Sequence, residues 1–325
     1  IDVPDGTSTL VSDGRAIAIW RFPDDPLLPG LGIAARPARA AELLEQIGLP
    51  PGTARLRTRA YRAGRRAVVE ADVAGSRVFL KVVRPVKVAG LQQRHEALAR
   101  SVPVPHSLGW SGEHGIIVLQ AMPGNSLRRQ LETTSAPLPA PAAVTRVLDQ
   151  FTGPPRARGV AGAHRRAGFH ARLLRAVAPG LSDRINAIVA ALDAIREDAP
   201  AVPVHGDLHV AQLLVDGSTI VGIVDVDTAG IGHRANDLAN MVGHLATLST
   251  VSPAAARIDA YGAELMAHFD RTVEPADLRR RVAGTILALA TGPFRVQMED
   301  WPRQTERRIA LAERWLESAD ETASH

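Results

Sequence analysis

The stretch Val204-His205-Gly206-Asp207-Leu208-His209-Val210-Ala211-Gln212 constrains this chain more than any other. It sets one acid between two histidines and a carboxamide five residues after the acid. A few residues on, Ile223-Val224-Asp225-Val226-Asp227 reads as an apolar strand ending in acids. Residues 202–232 thus read as two short β pieces holding the densest polar chemistry of the chain. A fold for this sequence must place a carboxylate-bearing loop beside a strand end that carries further carboxylates.

Phosphoryl transfer needs a carboxylate to accept or orient a hydroxyl proton, and oxygen donors to hold a magnesium ion against phosphates. In that chemistry Asp207 is the candidate base, Gln212 a side-chain oxygen ligand and Asp225 the main metal ligand, since magnesium favours oxygen donors. The order base, amide, acid follows the logic of the protein-kinase signature set in altered wording.

The segments before it read as strands. Arg55–Arg62 alternates, Ala67–Val73 is rich in β-branched residues, and Val73-Ala74-Gly75-Ser76 reads as a hairpin turn into Arg77–Val83. Upstream, Ser8–Val11 and Ala16–Trp20 are strand-like, a Pro/Asp-rich turn follows at Phe22–Pro26, and Ala38–Ile47 has helical spacing. Gly90–Ser101 reads as helix, and Ser107–Trp110 and Gly115–Ala121 as two more strands. Met122-Pro123-Gly124 punctuates sharply, which predicts a boundary between a lobe over 1–122 and a lobe over 123–325. The second lobe reads as mainly helical: Ser182–Arg196 is amphipathic, with Ser182 as N-cap and a stripe of Ile185, Ile188, Val189, Leu192 and Ile195. Residues 234–318 are helical too, while Ser135–Pro141 and Gly153–Arg158 read as connectors.

These motifs resemble the aminoglycoside phosphotransferase and choline-kinase-like superfamily, whose catalytic loop reads HGDxHxxN and whose metal strand reads IDFxxAxxGxxxxDLA. Here the loop is His205 to Gln212, and Val224-Asp225-Val226-Asp227-Thr228-Ala229-Gly230-Ile231-Gly232 leads to Asp237-Leu238-Ala239. Gln212 stands where the family usually has Asn, a variant similar to the maltokinase and glucosamine-kinase branch, and Val226 replaces the usual aromatic residue. The resemblance implies a two-lobed, protein-kinase-like α+β fold, an N-lobe of antiparallel sheet plus helix and a mainly helical C-lobe, with ATP and Mg²⁺ as cofactors bound between the lobes. It implies base and metal-ligand roles for Asp207, Gln212 and Asp225, with Asp237 as the acid that steadies the loop and His205 as its brace; His209 and Asp227 are supporting candidates.

It also implies roles in the first lobe. Only two of the 38 basic residues are lysines, and Lys81 in Val78-Phe79-Leu80-Lys81-Val82-Val83 resembles the lysine that grips nucleotide phosphates. Glu96 resembles its helix partner, although Glu70 and Asp72 compete for that lysine. Gly64 sits where a phosphate-covering turn belongs, and Gln120 and Met122 lie on the segment resembling the adenine-binding hinge. In the second lobe, Glu299, Asp300 and an exposed-looking Trp301 suit a sugar whose ring stacks on an aromatic face; the alternative is that Trp301 packs a helix start ahead of Pro302.

Composition narrows the classes. There is no cysteine, which excludes disulfide scaffolds and thiolate metal sites, and cytoplasmic residence is the default. No run approaches a membrane span and the start lacks a signal-peptide pattern, so no membrane association is expected. A net charge of +4 spread over 38 basic and 34 acidic residues forms no aromatic-interleaved stripe, which argues against nucleic acid. The expected partner is a small-molecule acceptor, with oligomeric state undetermined. The expected activity is phosphorylation of a hydroxyl on a small sugar or amino-sugar-like acceptor, with an aminoglycoside antibiotic as the alternative. From other classes, a nucleotide-binding pseudokinase and a zinc metallohydrolase built on His205, His209 and Asp207 stay open.

Overall fold

The computed structural model describes residues 7–133, 135–152 and 159–324. The opening residues 1–6 and the connector expected at Gly153–Arg158 lie outside the described residues. The chain divides into two compact units, Ile1–Arg100 with Val104–Met122, and Ser101–Pro103 with Pro123–His325.

The first unit begins with the hairpin β1 (Ser8–Ser12) and β2 (Arg15–Ile19), exposed throughout. The helices α1 (Leu31–Ala34) and α2 (Pro37–Gln46) follow. Then come β3 (Arg55–Arg62), β4 (Arg66–Val73), β5 (Ser76–Val83), α3 (Pro85–Leu98), β6 (Ser107–Ser111) and β7 (Ile116–Gln120). The last five strands form one antiparallel sheet in the order β3-β4-β5-β7-β6.

Both faces of this sheet are covered. Side chains alternate along a strand, so Val78, Leu80 and Val82 point to one face, where they join Ala67, Val69, Ala71 and Val73 of β4. Leu28, Leu31, Ala34 and Leu44, from the segment ahead of the sheet, close that core. Phe79 and Val83 point the other way, against Val88 and Leu91 of α3. Lys81 belongs to this second set and is 5% exposed. Helix α3 starts five residues ahead of the expected Gly90, because Pro85 supplies a pre-set φ at its first turn.

In the second unit, β8 (Asn125–Ser126), β11 (Leu213–Asp216) and β12 (Thr219–Ile223) make one small antiparallel sheet. β9 (Gly159–Val160), β10 (Val202–Val204) and β13 (Gly230–Gly232) make another. Around them lie α4 (Leu127–Thr133), α5 (Pro141–Asp149), α6 (Ala167–Val177), α7 (Ser182–Leu192), α8 (Arg234–Ser249), α9 (Ala255–Phe269), α10 (Pro275–Ala290), α11 (Gly292–Arg295) and α12 (Trp301–Ala323). Helix α10 is buried on several faces, from Leu278 through Val282 and Ile286 to Ala290. α8 approaches it closely, with Thr285 Oγ1 donating to Asn240 Oδ1 at 3.0 Å.

Helix α7 corrects one expectation. Ser182 is its first helical residue, not its cap, and its hydroxyl donates back to Pro179 O at 2.7 Å. The helix stops at Leu192, so Ile195 falls outside it; Ile185, Ile188 and Leu192 form the buried stripe. Among the described residues no helix is long and apolar enough to cross a membrane.

Candidate active site

The loop between β10 and β11 carries Asp207, and its backbone is held from two directions. On one side stands Asp237, fully buried on the first turn of α8. Its Oδ2 accepts the His205 N–H at 2.7 Å and its Oδ1 the Gly206 N–H at 2.8 Å. Burial pushes this carboxyl's pKa up, while the two N–H donors and Arg234 act in the opposite direction.

The other side is the segment that carries Asp225. His205 is buried with ring atom Nε2 3.1 Å from Val224 O and Nδ1 3.3 Å from the Asp207 N–H. A carbonyl can only accept, and an amide N–H can only donate, so the ring is the neutral Nε2–H tautomer. Thr228 Oγ1 donates to His205 O at 3.0 Å, and Val224 N donates to Gln212 O at 2.9 Å. His205 thus braces the loop, and with both ring nitrogens engaged it has no lone pair to give a zinc ion. Among the described residues no group of three or more His, Cys, Asp or Glu is placed to hold a metal.

Two backbone conformations at the loop are informative. Gly206 has φ +84°, and a Cβ there would stand 2.7 Å from Thr228 O, so only glycine lets the loop pass this close to the turn that follows Asp225. Asp225 has φ +61°, a left-handed conformation rarely taken by a residue other than glycine. It turns the chain sharply out of β12 into a short 3₁₀ turn, Val226–Thr228. Asp207 itself is exposed, Asp227 is partly buried, and Gln212 is 4% exposed.

Gln212 Oε1 accepts the His209 N–H at 3.1 Å. The amide therefore clasps its own loop, and a metal would use the second lone pair of the same oxygen. With that oxygen and the Asp225 carboxylate both hard donors, the residues fit magnesium.

His209 is partly buried and stacks on His244 of α8, ring centroids 4.2 Å apart and planes inclined by 12°. Burial lowers the pKa of His209 to about 4 and that of His244 to about 3. After burial, the charges acting on His244 are those of His209, Arg308 and Arg128. His244 was not evident from the loop motif; the available signal is its place seven residues after Asp237, which puts both on one helix face. Arg308 of α12 has no sequence signal linking it to the loop.

These rings predict a pH dependence. His164, lowered to about 4 by burial and by Arg281, joins His209 and His244. The unfolded chain binds their protons near 6.5, whereas the folded chain resists until about 4 or 3. Stability is therefore lost as pH falls through that window, by about 3–5 kcal/mol between about pH 7 and 5, with Asp237 offsetting part. Urea midpoints at the two pH values measure the loss. His244→Phe keeps a stacked ring and recovers about 1–2 kcal/mol of it.

In the first unit, Lys81 and Glu96 lie on the α3 side of the sheet. Glu70, a competitor for the lysine, is taken by Arg59. Glu96 Oε1 accepts from Gln92 Nε2 at 2.8 Å. Gly64, with φ +63°, closes the β3–β4 turn, but its N–H donates to Asp25 Oδ2 at 2.6 Å. Asp25 is 2% exposed and also accepts from Tyr61 Oη at 2.9 Å and from Leu27 N at 3.0 Å. The turn is thus pinned to a buried carboxylate, which takes the Gly64 amide. The sequence shows Asp25 only as part of a turn. At the hinge-like segment the Gln120 N–H goes to His106 O at 2.9 Å and the Ala121 N–H to Arg77 O at 3.4 Å. Met122, at the end of this segment, is partly buried.

Trp301 is another correction. It is partly buried and packs edge-on against Phe294, centroids 5.1 Å apart, at the corner of α11 and α12. Glu299 and Asp300 are exposed, and Asp300 Oδ2 accepts from Gln304 Nε2 at 2.8 Å.

A lysine-bearing antiparallel sheet, followed by a helical unit with a clamped, carboxylate-bearing loop, is the architecture of kinase-like phosphotransferases. Residues 58–276 match the family model described as the phosphotransferase enzyme family, and the chain belongs to that family, a kinase-type enzyme acting on a hydroxyl group. The fold is shared with solved aminoglycoside phosphotransferases. A thermostable mutant of APH(4)-Ia, in ternary complex with ADP and hygromycin B, is 14% identical, with a TM-score of 0.57 over 84% of this chain and 97% of that chain. APH(2″)-IIIa, in complex with GDP and kanamycin, is 12% identical, with a TM-score of 0.56 over 86% of this chain and 99% of that chain. No curated protein matches the chain.

Proposed function

We propose that this chain transfers the γ-phosphoryl group of ATP, with magnesium, to a hydroxyl of a small sugar-like acceptor. The observation that carries the reading is an exposed Asp207 on a loop whose neighbouring amides are fixed by Asp237 and whose bracing histidine is fixed to the segment bearing Asp225. Asp207 accepts or orients the acceptor's hydroxyl proton, and holding its backbone rigid removes the reorganisation that a mobile base would need. Gln212 and Asp225 would hold the magnesium ion, which when bound neutralises charge on the phosphates. Lys81, buried on the α3 side of its sheet, is proposed to contact the nucleotide phosphates, with Glu96 orienting it. The ADP and GDP complexes of the similar structures support nucleotide use.

The acceptor is proposed to be a small sugar or amino sugar before a polycationic aminoglycoside. The charges near the loop support this order. Arg308 acts on the His209–His244 stack, its Nε is buried without a hydrogen-bond partner, and burial lowers its pKa. Arg128 also acts on the stack, although Glu132 at 3.1 Å offsets part of its charge. An under-compensated cation beside the loop disfavours a ligand carrying several ammonium groups.

The test is kcat/KM for maltose, glucosamine and kanamycin in one ADP-release assay, with Arg308→Gln alongside. At least one of the two sugars should exceed kanamycin by about tenfold or more, equivalent to about 1.4 kcal/mol, and the mutant should narrow the gap. A kanamycin value far above both sugars would restore antibiotic phosphorylation as the leading activity.

A further inference from the structure

The second unit contains a cavity of about 780 Å³ that none of the transfer groups lines. Its walls come from the end of α5, the segment entering β10, the start of α8 and the corner between α9 and α10. The catalytic loop leaves the opposite end of β10.

Three buried polar atoms at this cavity lack a hydrogen-bond partner: Arg281 Nε, Arg234 Nη1 and His233 Nδ1. Arg281 is only 4% exposed. Its Nη1 donates to Asn236 Oδ1 at 2.7 Å and its Nη2 to Arg196 O at 2.5 Å, which leaves the Nε–H unmet. Guanidinium nitrogens are donors only, so what is missing is an acceptor. Arg234 has as its ion-pair partner Asp149, 3.6 Å away and 72% exposed, a pair that solvent screens. Burial lowers the pKa of both guanidiniums.

The backbone adds to this. Helix α8, 16 residues long, begins at Arg234 with no side-chain cap, so its first N–H groups and the positive end of its dipole lie at the cavity. Asp277 and Glu197 favour the charged form of Arg281, and Asp149 and Asp237 that of Arg234, but burial outweighs them. Asp149, Asp198 and Glu274 are exposed. The Glu274 carboxylate caps α10 by accepting from the Ala276 and Asp277 N–H groups, and Asp277 accepts the Arg196 N–H at 3.1 Å. Arg281 is thus buried and Arg234 partly buried, the carboxylates of the wall are solvated or committed, and Val202, Leu238 and Val273 contribute apolar wall.

We infer that this cavity is a binding site for a small organic anion, a carboxylate or phosphate ester on a compact apolar body. The anionic head rests on Arg234, Arg281 and the start of α8, and the body rests on Val202 and Leu238. The site is separate from the transfer groups, because Asp237 on the same helix spends both oxygens on the loop amides.

Titration calorimetry on the full chain with benzoate, phenyl phosphate, inorganic phosphate and benzyl alcohol tests this. Benzoate or phenyl phosphate should bind saturably with one site, at least tenfold more tightly than inorganic phosphate, and benzyl alcohol should not bind. Arg234→Gln, which removes the charge, and Ala199→Trp, which fills the exposed mouth, should each weaken binding at least tenfold in protein that melts cooperatively. Absence of saturable binding by both aromatic anions, equal binding of benzyl alcohol, or binding that survives both variants would overturn the assignment.

Discussion

Asp207→Asn lowers phosphoryl transfer by at least about 10³-fold, near 4 kcal/mol of transition-state stabilisation, and leaves nucleotide affinity within a few-fold. The side chain is exposed, so the substitution removes a proton acceptor without opening the core. The loop should hold its shape, because bonds through the amides of His205, Gly206 and Asp207 and the ring of His205 are untouched by the substitution. Single-turnover rates and nucleotide titration in the same preparation measure the split. Comparable turnover in the mutant would remove Asp207 from the role of base and strengthen the nucleotide-binding pseudokinase reading.

Asp237→Ala acts on the same loop through structure. It leaves two buried N–H donors unmet, at about 1–3 kcal/mol each, with relief from burying a charged carboxylate as the opposing contribution. The expected net loss is about 2–4 kcal/mol of stability, read as a lower urea midpoint. Turnover should also fall, at temperatures where the protein is still folded, since Asp207 would sit on a loop free to sample other positions. Asp237→Asn separates the two effects. It keeps the volume but offers one acceptor oxygen where two donors converge, so it should restore part of the stability and little of the turnover. A variant with unaltered stability and full activity would show that the clamp is dispensable.

These predictions rest on residues of differing legibility. Asp207, Gln212, Asp225 and Asp237 stand out in the linear chain because chemistry of this kind needs acids and an amide at short fixed spacings, and short loops keep such spacings in sequence. The strands were legible for a similar reason: β4 alternates buried and half-buried residues along its whole length, and that alternation follows directly from the strand's two-residue period. Helix ends were less legible. Ser182 has the chemistry of a cap, but a preceding Pro179-Gly180-Leu181 turn lets the chain coil before it, and the serine bonds back into that turn.

Long-range partners were not legible at all. Asp25 reads as part of a surface turn, and only the folded chain shows it buried beneath Gly64, 39 positions away, with the amide it takes. Trp301 reads as an exposed platform for a sugar, and only the packing of α11 against α12 gives its ring to Phe294. His244 comes to His209 from α8, and Arg308 acts on His244 from α12, and no spacing in the sequence records the meeting. The sequence by itself determined the class of chemistry and the strand-then-helix order, because both are written in neighbouring residues. Tertiary structure alone decided which donors are already spent, which cations are buried without compensation, and where an open cavity gathers them, because desolvation and hydrogen-bond pairing depend on what packs around a group in space.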